Sequence, residues 1–371
     1  MKILIYGMSE QRGGVETFIY NFYSNFSDDV QCDFVTDFAS IPFEDEFVSK
    51  GSRIFKLPSR RKNLIAYNKY LDRLFTENKY DIVWANVCTL SSIGVLSYAK
   101  KYGVPVRIVH SHNSENMGGK VTALLHGMNL KKIKNVATDF WACSPEAGEW
   151  MFGEVIETEK VKVIRNAIDL DKFSYSLDIR QQVRNELNVD NEFVIGHVGR
   201  FHPQKNQKFL LDIFKEIVAL KDNSRLVMVG SGSLQEEIES YAKELNVYDK
   251  VLWLGQRSDV ERLLQGFDVF LLPSAYEGLP FVLVESQAAA LPSYTTLGKV
   301  SKESKISDCL EFVDLNLGAK HWATLIVNNA DLPRENNTEA LRATGFDIVT
   351  ESRDIEKFLK MRVDSKNDDK K

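Results

Sequence analysis

Two carboxylates eight positions apart, Glu277 and Glu285, bracket a Gly278-Leu279-Pro280 turn. Before them runs VFLL (Val269 to Leu272), a short apolar run of strand length, and after the turn FVLVESQAAAL reads as a helix. A loop that leaves a buried strand and opens a helix aims the helix's first free amides at whatever lies beyond the strand end. That suits an anionic or polyhydroxylated ligand. The two acids are then either an acid–base couple or carboxylates that hold ligand hydroxyls. Arg200 and Lys205 follow the strand FVIGHVG in the loop GRFHPQK. An arginine fork and a lysine point charge five residues apart form a candidate diphosphate clamp. His202 between them reads as a packing or capping residue. His110 and His112 close the strand VRIVH as HSHN. His110 is placed to donate a hydrogen bond to substrate or to act as a general acid or base, and His112 reads as structural. Gly13 and Gly14, just past the first strand, let backbone approach a phosphate or sugar without a side chain in the way.

Other patterns argue for what is absent. Asp169-Leu170-Asp171 has the D-x-D form that can hold a divalent cation, but it lies in a stretch without periodicity and reads as structural. The His110/His112 pair lacks carboxylate companions, so no metal is expected. Gly230-Ser231-Gly232 comes nearest to a dinucleotide fingerprint. It lacks the third glycine and a following ribose-binding acid, and no phosphate-loop motif with Gly-Lys-Ser/Thr exists. Nicotinamide chemistry is not expected.

These residues need strand ends to position them. Strand candidates begin at Lys2, Cys32, Arg53, Asp81, Val106, Thr138 and Val161. Helix candidates lie between them, notably Asn63–Glu77 and Leu90–Lys101. Alternation of strand and helix implies a parallel sheet covered on both faces. The segment Ala167–Asp178 reads as a linker. The alternation then restarts at Phe193, Arg225, Lys250 and Asp268, with helices at Gln207–Leu220, Leu234–Leu245 and Val260–Gln265. The expectation is α/β: two doubly wound, Rossmann-like domains facing across a cleft, spanning 1–170 and 171–349. A C-terminal helix over about 350–371 packs back on the first, and SKNDDKK is a frayed tail.

With 371 residues, two domains are the natural division. The hydrophobic share of 44% and charged share of 27% are those of an ordinary globular protein. A net charge of −5 argues against a nucleic-acid partner. Cys32, Cys88, Cys143 and Cys309 are scattered, which fits a reducing cytoplasm. KILIYG opens as a strand and not as an export signal, and no apolar run is long enough to span a bilayer. Lys120–Asn135 mixes Val121, Leu124, Leu125, Met128 and Ile133 with four lysines, the pattern of a helix that lies on an anionic membrane. The expected location is therefore cytoplasmic, with peripheral contact at the inner face of the cell membrane.

Taken together, the motifs resemble the retaining glycosyltransferases of family 4, which have the GT-B fold. The matching stretches are GGVE (Gly13–Glu16), VRIVH ending at His110, NAID (Asn166–Asp169), GRFHPQKN (Gly199–Asn206) and EGLPFVLVE (Glu277–Glu285). They cover nearly the whole chain. HSHN, ACSPEAGEWMFG and SDVERLLQGFDVFLLPSAYEGLP resemble the subgroup that builds bacterial capsule and exopolysaccharide units. The resemblance implies a hexosyltransferase that moves a sugar from a nucleotide-diphosphate sugar, a UDP-sugar for choice, to a glycan or lipid-linked acceptor. It implies no cofactor and no metal. Arg200 and Lys205 would bind the donor diphosphate. Glu277 would hold the donor sugar, with Gly278 and Leu279 of the turn alongside. Glu285 would accept from the ribose, His110 would contact the sugar at the reaction centre, and Gly14 would line the phosphate and acceptor side. The chain departs from the family after the second acid, where Ala290 stands in the usual glycine position and a Gly-Gly pair is missing. The alternative reading is a non-catalytic GT-B partner or chaperone of an active transferase. A third, a sugar-nucleotide epimerase of the same architecture, lacks the extra acids and bases it would need.

Overall fold

The structure, a computed structural model, describes residues 1–113, 119–330 and 333–368. The chain divides into two compact units: Met1–Ala167 with Ile348–Lys371, and Ile168–Asp347.

Unit 1 holds a seven-stranded parallel sheet. Its strands are β1 (Lys2–Tyr6), β2 (Gln31–Thr36), β3 (Ile54–Lys56), β4 (Ile82–Val87), β5 (Val106–Ser111), β6 (Asp139–Ala142) and β7 (Val161–Val163). The order across the sheet is β3-β2-β1-β4-β5-β6-β7. Alternate residues serve opposite faces. Leu4, Val83, Ala85 and Val109 pack against Tyr67, Leu71 and Leu74 of the helix Leu64–Glu77 and against Val95 and Leu96 of Gly94–Lys101. That first helix starts where Asn63 accepts the Ala66 amide at 2.9 Å. On the other face Trp84 meets Phe18 of the helix Gly14–Asn25 edge-on at 5.8 Å, and Trp141 meets Phe358 at 5.9 Å. Phe358 belongs to the last helix, Ile348–Asp368, which is tied to this sheet by Arg362 on Asp139 and by Glu356 on Ser27. The helix therefore runs through most of the stretch expected as a frayed tail, whose last three residues lie outside the described ones.

Unit 2 holds a six-stranded parallel sheet ordered β10-β9-β8-β11-β12-β13. Its strands are β8 (Phe193–Val198), β9 (Ser224–Val229), β10 (Val251–Gly255), β11 (Val269–Leu272), β12 (Ser293–Thr296) and β13 (Leu310–Val313). The helix Gln207–Leu220 turns Leu210, Leu211, Phe214 and Ile217 to the core at helical spacing.

The sequence reading misses β12 and β13 and the helices Pro145–Phe152 and Leu177–Leu187. SYTT and LEFV are short and half polar; SYTT is buried between β11 and β13, and LEFV pairs with SYTT at the sheet edge. The expected linker is also structured. Asp169 caps a short helix, Leu170–Phe173, by accepting the Lys172 amide at 3.1 Å, and Asp171 pairs with Arg342. Both acids of the D-x-D are thus occupied by structural contacts.

Candidate functional site

In each sheet the connections run outward in opposite directions from one pair of strands, and ligands gather beyond the carboxyl ends of such a pair. In unit 2 the pair is β8 and β11. The loops leaving them, Gly199–Asn206 and Pro273–Pro280, carry most of the residues singled out above. Backbone and side chains stitch the loops together. The Ala275 amide donates to Gln204 O at 2.8 Å, and Asn206 Nδ2 donates to Pro273 O at 3.1 Å. Asn206 holds a left-handed backbone at φ 53°, which lets the chain turn at once into the helix Gln207–Leu220.

At the centre Lys205 Nζ meets Glu277 Oε1 at 2.6 Å, with both side chains largely buried. Ser274 Oγ donates to the same carboxylate oxygen at 2.8 Å, and Gln204 Nε2 donates to the other at 3.2 Å. The Glu277 backbone is fixed as well, its amide donating to Lys299 O at 2.8 Å. A carboxylate held on both oxygens is a rigid acceptor, and its neighbouring ammonium is a fixed positive centre. Arg200 differs. It is exposed, its carbonyl accepts from Gln207 Nε2 at 2.9 Å, and its guanidinium has no ion-pair partner among the described residues. The loop thus presents one anchored cation and one unengaged fork. His202 caps the turn by accepting the Gln204 amide at 3.3 Å. Gly278 has nothing within 4 Å of where a Cβ would stand, and Leu279 is buried behind it. The helix Phe281–Ala288 follows with no side-chain cap at its start, and Glu285 sits partly exposed on it.

Gly230-Ser231-Gly232 is explained by packing. Gly230 sits at φ +134°, and a Cβ there would fall 2.0 Å from Gly199 O, while one on Gly232 would fall 2.3 Å from Phe201 O. These glycines seat the Gly199–Phe201 backbone. His197, under that backbone, is fully buried with Nδ1 on Leu271 O at 2.9 Å, and burial brings its ring down to about 4.

In unit 1 the corresponding pair is β1 and β4. Gly7 at φ +123° lies so close to β4 that a Cβ would fall 1.9 Å from Asn86 O. The Gly13-Gly14 loop is held by the buried Glu16, whose carboxylate accepts from Ser9 N at 2.8 Å, Ser9 Oγ at 2.7 Å and Gly13 N at 3.0 Å. Gly14 faces open space.

His110 lies deeper than the sequence reading has it. It is wholly buried, with Trp84 Nε1 donating to its Nδ1 at 3.3 Å and Phe18 edge-on at 4.8 Å. Burial, with His112 beside it, holds its ring well below the ordinary histidine range and so neutral. Phe18, Trp84 and Trp141 surround the ring, and its Nε2 is buried with no hydrogen-bond partner among the described residues. Residues two apart on a strand share a face, so His112 occupies the same side one step beyond the strand end. It is half-buried, with Nε2 2.9 Å from Asn86 Oδ1. Gln204, Ser274, Asn86 and Asn206 were not singled out in the sequence. Two of them flank Lys205, and that adjacency was the available signal.

Among the described residues no group of three or more His, Cys, Asp or Glu side chains is placed to hold a metal, and no helix is long and apolar enough to cross a membrane.

Comparison with known proteins agrees with this architecture. The family profile described as Glycosyltransferase Family 4 matches residues 12–172, and that described as Glycosyl transferases group 1 matches residues 178–300. The putative glycosyltransferase EpsF of Bacillus subtilis is 32% identical over 351 residues, covering 91% of this chain and 90% of that protein. The chain belongs to glycosyltransferase family 4. A second member of similar sequence is the Escherichia coli UDP-Gal:alpha-D-GlcNAc-diphosphoundecaprenol alpha-1,3-galactosyltransferase, 30% identical over 70% of this chain and 67% of its own length. The fold is GT-B: Anabaena HepE in complex with UDP superposes with a TM-score of 0.80 at 19% identity, covering 97% of this chain and 100% of that one. WaaG, a lipopolysaccharide glycosyltransferase, superposes with a TM-score of 0.69 at 15% identity, covering 97% of this chain and 99% of that one. Like these relatives, this family 4 chain is a transferase.

Proposed function

We propose that this family 4 enzyme moves a sugar, with retention, from a UDP-sugar to a lipid-linked saccharide in capsule or exopolysaccharide synthesis. Unit 2 binds the donor and unit 1 the acceptor. The observation that carries the reading is the Lys205–Glu277 pair, locked by Ser274 and Gln204 beside the unengaged Arg200. Arg200 and Lys205 receive the diphosphate, so its charge is met by protein cations and no metal is invoked. Glu277 holds the sugar hydroxyls, Glu285 the ribose, and His112 takes the sugar-contact role first given to His110. The acceptor oxygen attacks the anomeric carbon on the face from which the diphosphate leaves. As the sugar–phosphate bond breaks, the acceptor proton passes to the departing phosphate oxygen, giving the glycoside and UDP. Positive charge fixed where the leaving group becomes more anionic stabilises that transition state. The names of the relatives support the donor and acceptor classes: UDP-galactose and a diphosphoundecaprenol acceptor for the Escherichia coli enzyme, and UDP-glucose in a complex of HepE.

The test is UDP release from a panel of nucleotide sugars. Glu277→Ala and Lys205→Ala are each expected to lower turnover by about 100-fold or more, as loss of a preorganised charge contact does. Turnover equal to wild type in both variants would sink the site assignment. Wild type that binds no nucleotide diphosphate would favour the non-catalytic partner.

Membrane contact is assigned to the helix Lys120–Val136, at the inner face of the cell membrane. Leu130 and Ile133 are buried, while Val121, Leu124 and Met128 are 72%, 66% and 52% exposed on the opposite side, with Lys131 and Lys132 one turn on. Co-sedimentation with anionic vesicles should fall in Leu124→Glu and with neutral vesicles. Equal sedimentation under all these conditions removes the assignment.

A further inference from the structure

The strand order of unit 1 lays the loops after β3, β2, β1 and β4 side by side. Chemistry-bearing side chains from the first three gather along that edge, and the fourth contributes a backbone carbonyl. Tyr6, the last residue of β1, donates its hydroxyl to Asp37 Oδ2 at 2.5 Å, and Asp37 is the first residue after β2. Asp37 is exposed, and its carboxylate has no ion-pair partner among the described residues. Arg60, from the loop after β3, is partly exposed and reaches across to the loop after β4, where Nη1 and Nη2 each lie 3.4 Å from Ser91 O. It too meets no carboxylate at ion-pair distance among the described residues. Arg61 and Lys62 follow it, both exposed. Tyr67 lies beneath, its hydroxyl 3.0 Å from where a Cβ on Gly94 would stand. The groups share one electrostatic environment: Asp37 raises, and Arg60 lowers, the pKa of both phenols, though burial is the largest influence on each.

A strand-end staple would need only the tyrosine and the aspartate. It would not need an arginine held in place by a carbonyl with its charge unspent, nor two more cations beside it. The carboxylate gives one oxygen to Tyr6 and keeps Oδ1, which can accept from sugar hydroxyls. The guanidinium fork matches a phosphate. We infer that this edge is the acceptor subsite and that it binds a glycosyl diphosphate: Asp37 and Tyr6 hold the terminal sugar, while Arg60, with Arg61 and Lys62, holds the diphosphate. The inference rests on the reading above that the acceptor is a lipid-linked saccharide.

The experiment titrates the full chain with a short-chain polyprenyl diphosphate N-acetylglucosamine, with octyl N-acetylglucosaminide and, separately, with UDP. Arg60→Gln and Asp37→Asn are each expected to weaken the diphosphate probe about tenfold, the loss of one charge-assisted contact, while UDP affinity stays within roughly twofold. Asp37→Asn should also weaken the octyl glycoside, and Arg60→Gln should not. Unchanged melting temperatures would show that both variants fold, as expected for exposed and partly exposed positions. Wild-type affinity for the diphosphate probe in both variants overturns the subsite. So does a wild type that binds UDP but not the probe. A loss equal on both sugar probes in Arg60→Gln overturns the phosphate assignment. Failure of wild type to bind UDP, with the probe binding as described, instead removes the donor reading and leaves the subsite standing.

Discussion

At the scale of single residues, the two histidines of HSHN differ in exposure, His110 wholly buried and His112 partly so. His110 is neutral and enclosed, and its folded pKa lies below the ordinary value of about 6.5. Protons therefore bind the unfolded chain first. The stability this ring contributes is whole above pH about 6.5 and falls as the pH drops below it. His197 acts in the same direction, with its ring at about 4. Urea denaturation between pH about 7 and 5 should show a shallower acid loss for His110→Asn than for wild type. Turnover per folded molecule should stay within about threefold for that variant, whereas His112→Ala should lose about tenfold or more, as removal of a positioned polar contact does. The reverse pattern would return the role to His110. The sequence showed that a histidine ends this strand. It could not show which of two on the same face passes the last buried position, because that depends on Phe18 and Trp84 arriving from other elements. Arg200, Lys205 and Glu277 were legible because cations and acids at strand ends have few structural uses. Ser274 and Gln204 were not, since serine and glutamine serve everywhere.

At the scale of elements, periodicity revealed the long strands and helices and failed on short ones. β12 and β13 are four residues each and carry Ser, Thr and Glu. Their strand character comes from register, β12 beside β11 and β13 beside β12, not from pattern. Alternation nevertheless put the site loops at the right strand ends. The β9 loop supports the β8 loop through Gly230, where a Cβ would meet Gly199 O and the backbone is left-handed. Gly230→Ala should therefore move the Gly199–Arg200 backbone, destabilise the protein by about 2 kcal/mol or more and weaken UDP binding. Denaturation and UDP titration check both. Unchanged UDP affinity would show that the loop tolerates the shift. Ala290, where the chain departs from its family, sits at φ 50° just past the helix Phe281–Ala288. That is the left-handed position where glycine usually ends a helix. Here an alanine holds that conformation.

At the scale of the molecule, unit 1 is closed by a helix from the far end of the chain. Ile348, Ile355 and Leu359 of that helix are buried, and Trp141 packs against its Phe358. Cutting the chain after Asp347 should cost unit 1 about 5 kcal/mol or more, from the loss of several buried apolar side chains. Unit 2, whose sheet and core lie within Ile168–Asp347, should keep its own transition. Calorimetry of the truncated chain should show one early and one unchanged melt, and two unchanged melts would mean that the helix contributes little.

The same closure sets an order on the ribosome. The seven strands of unit 1 are all made before the first strand of unit 2, yet the helix that covers Trp141 is translated after the last one. Nascent unit 1 must wait, with the Trp141 part of one sheet face unsealed, while another whole unit is synthesised. At the usual pace of translation that wait lasts on the order of ten seconds or more. The unit made second is thus the first able to finish folding. A nascent chain of this design has reason to recruit a chaperone to its early half.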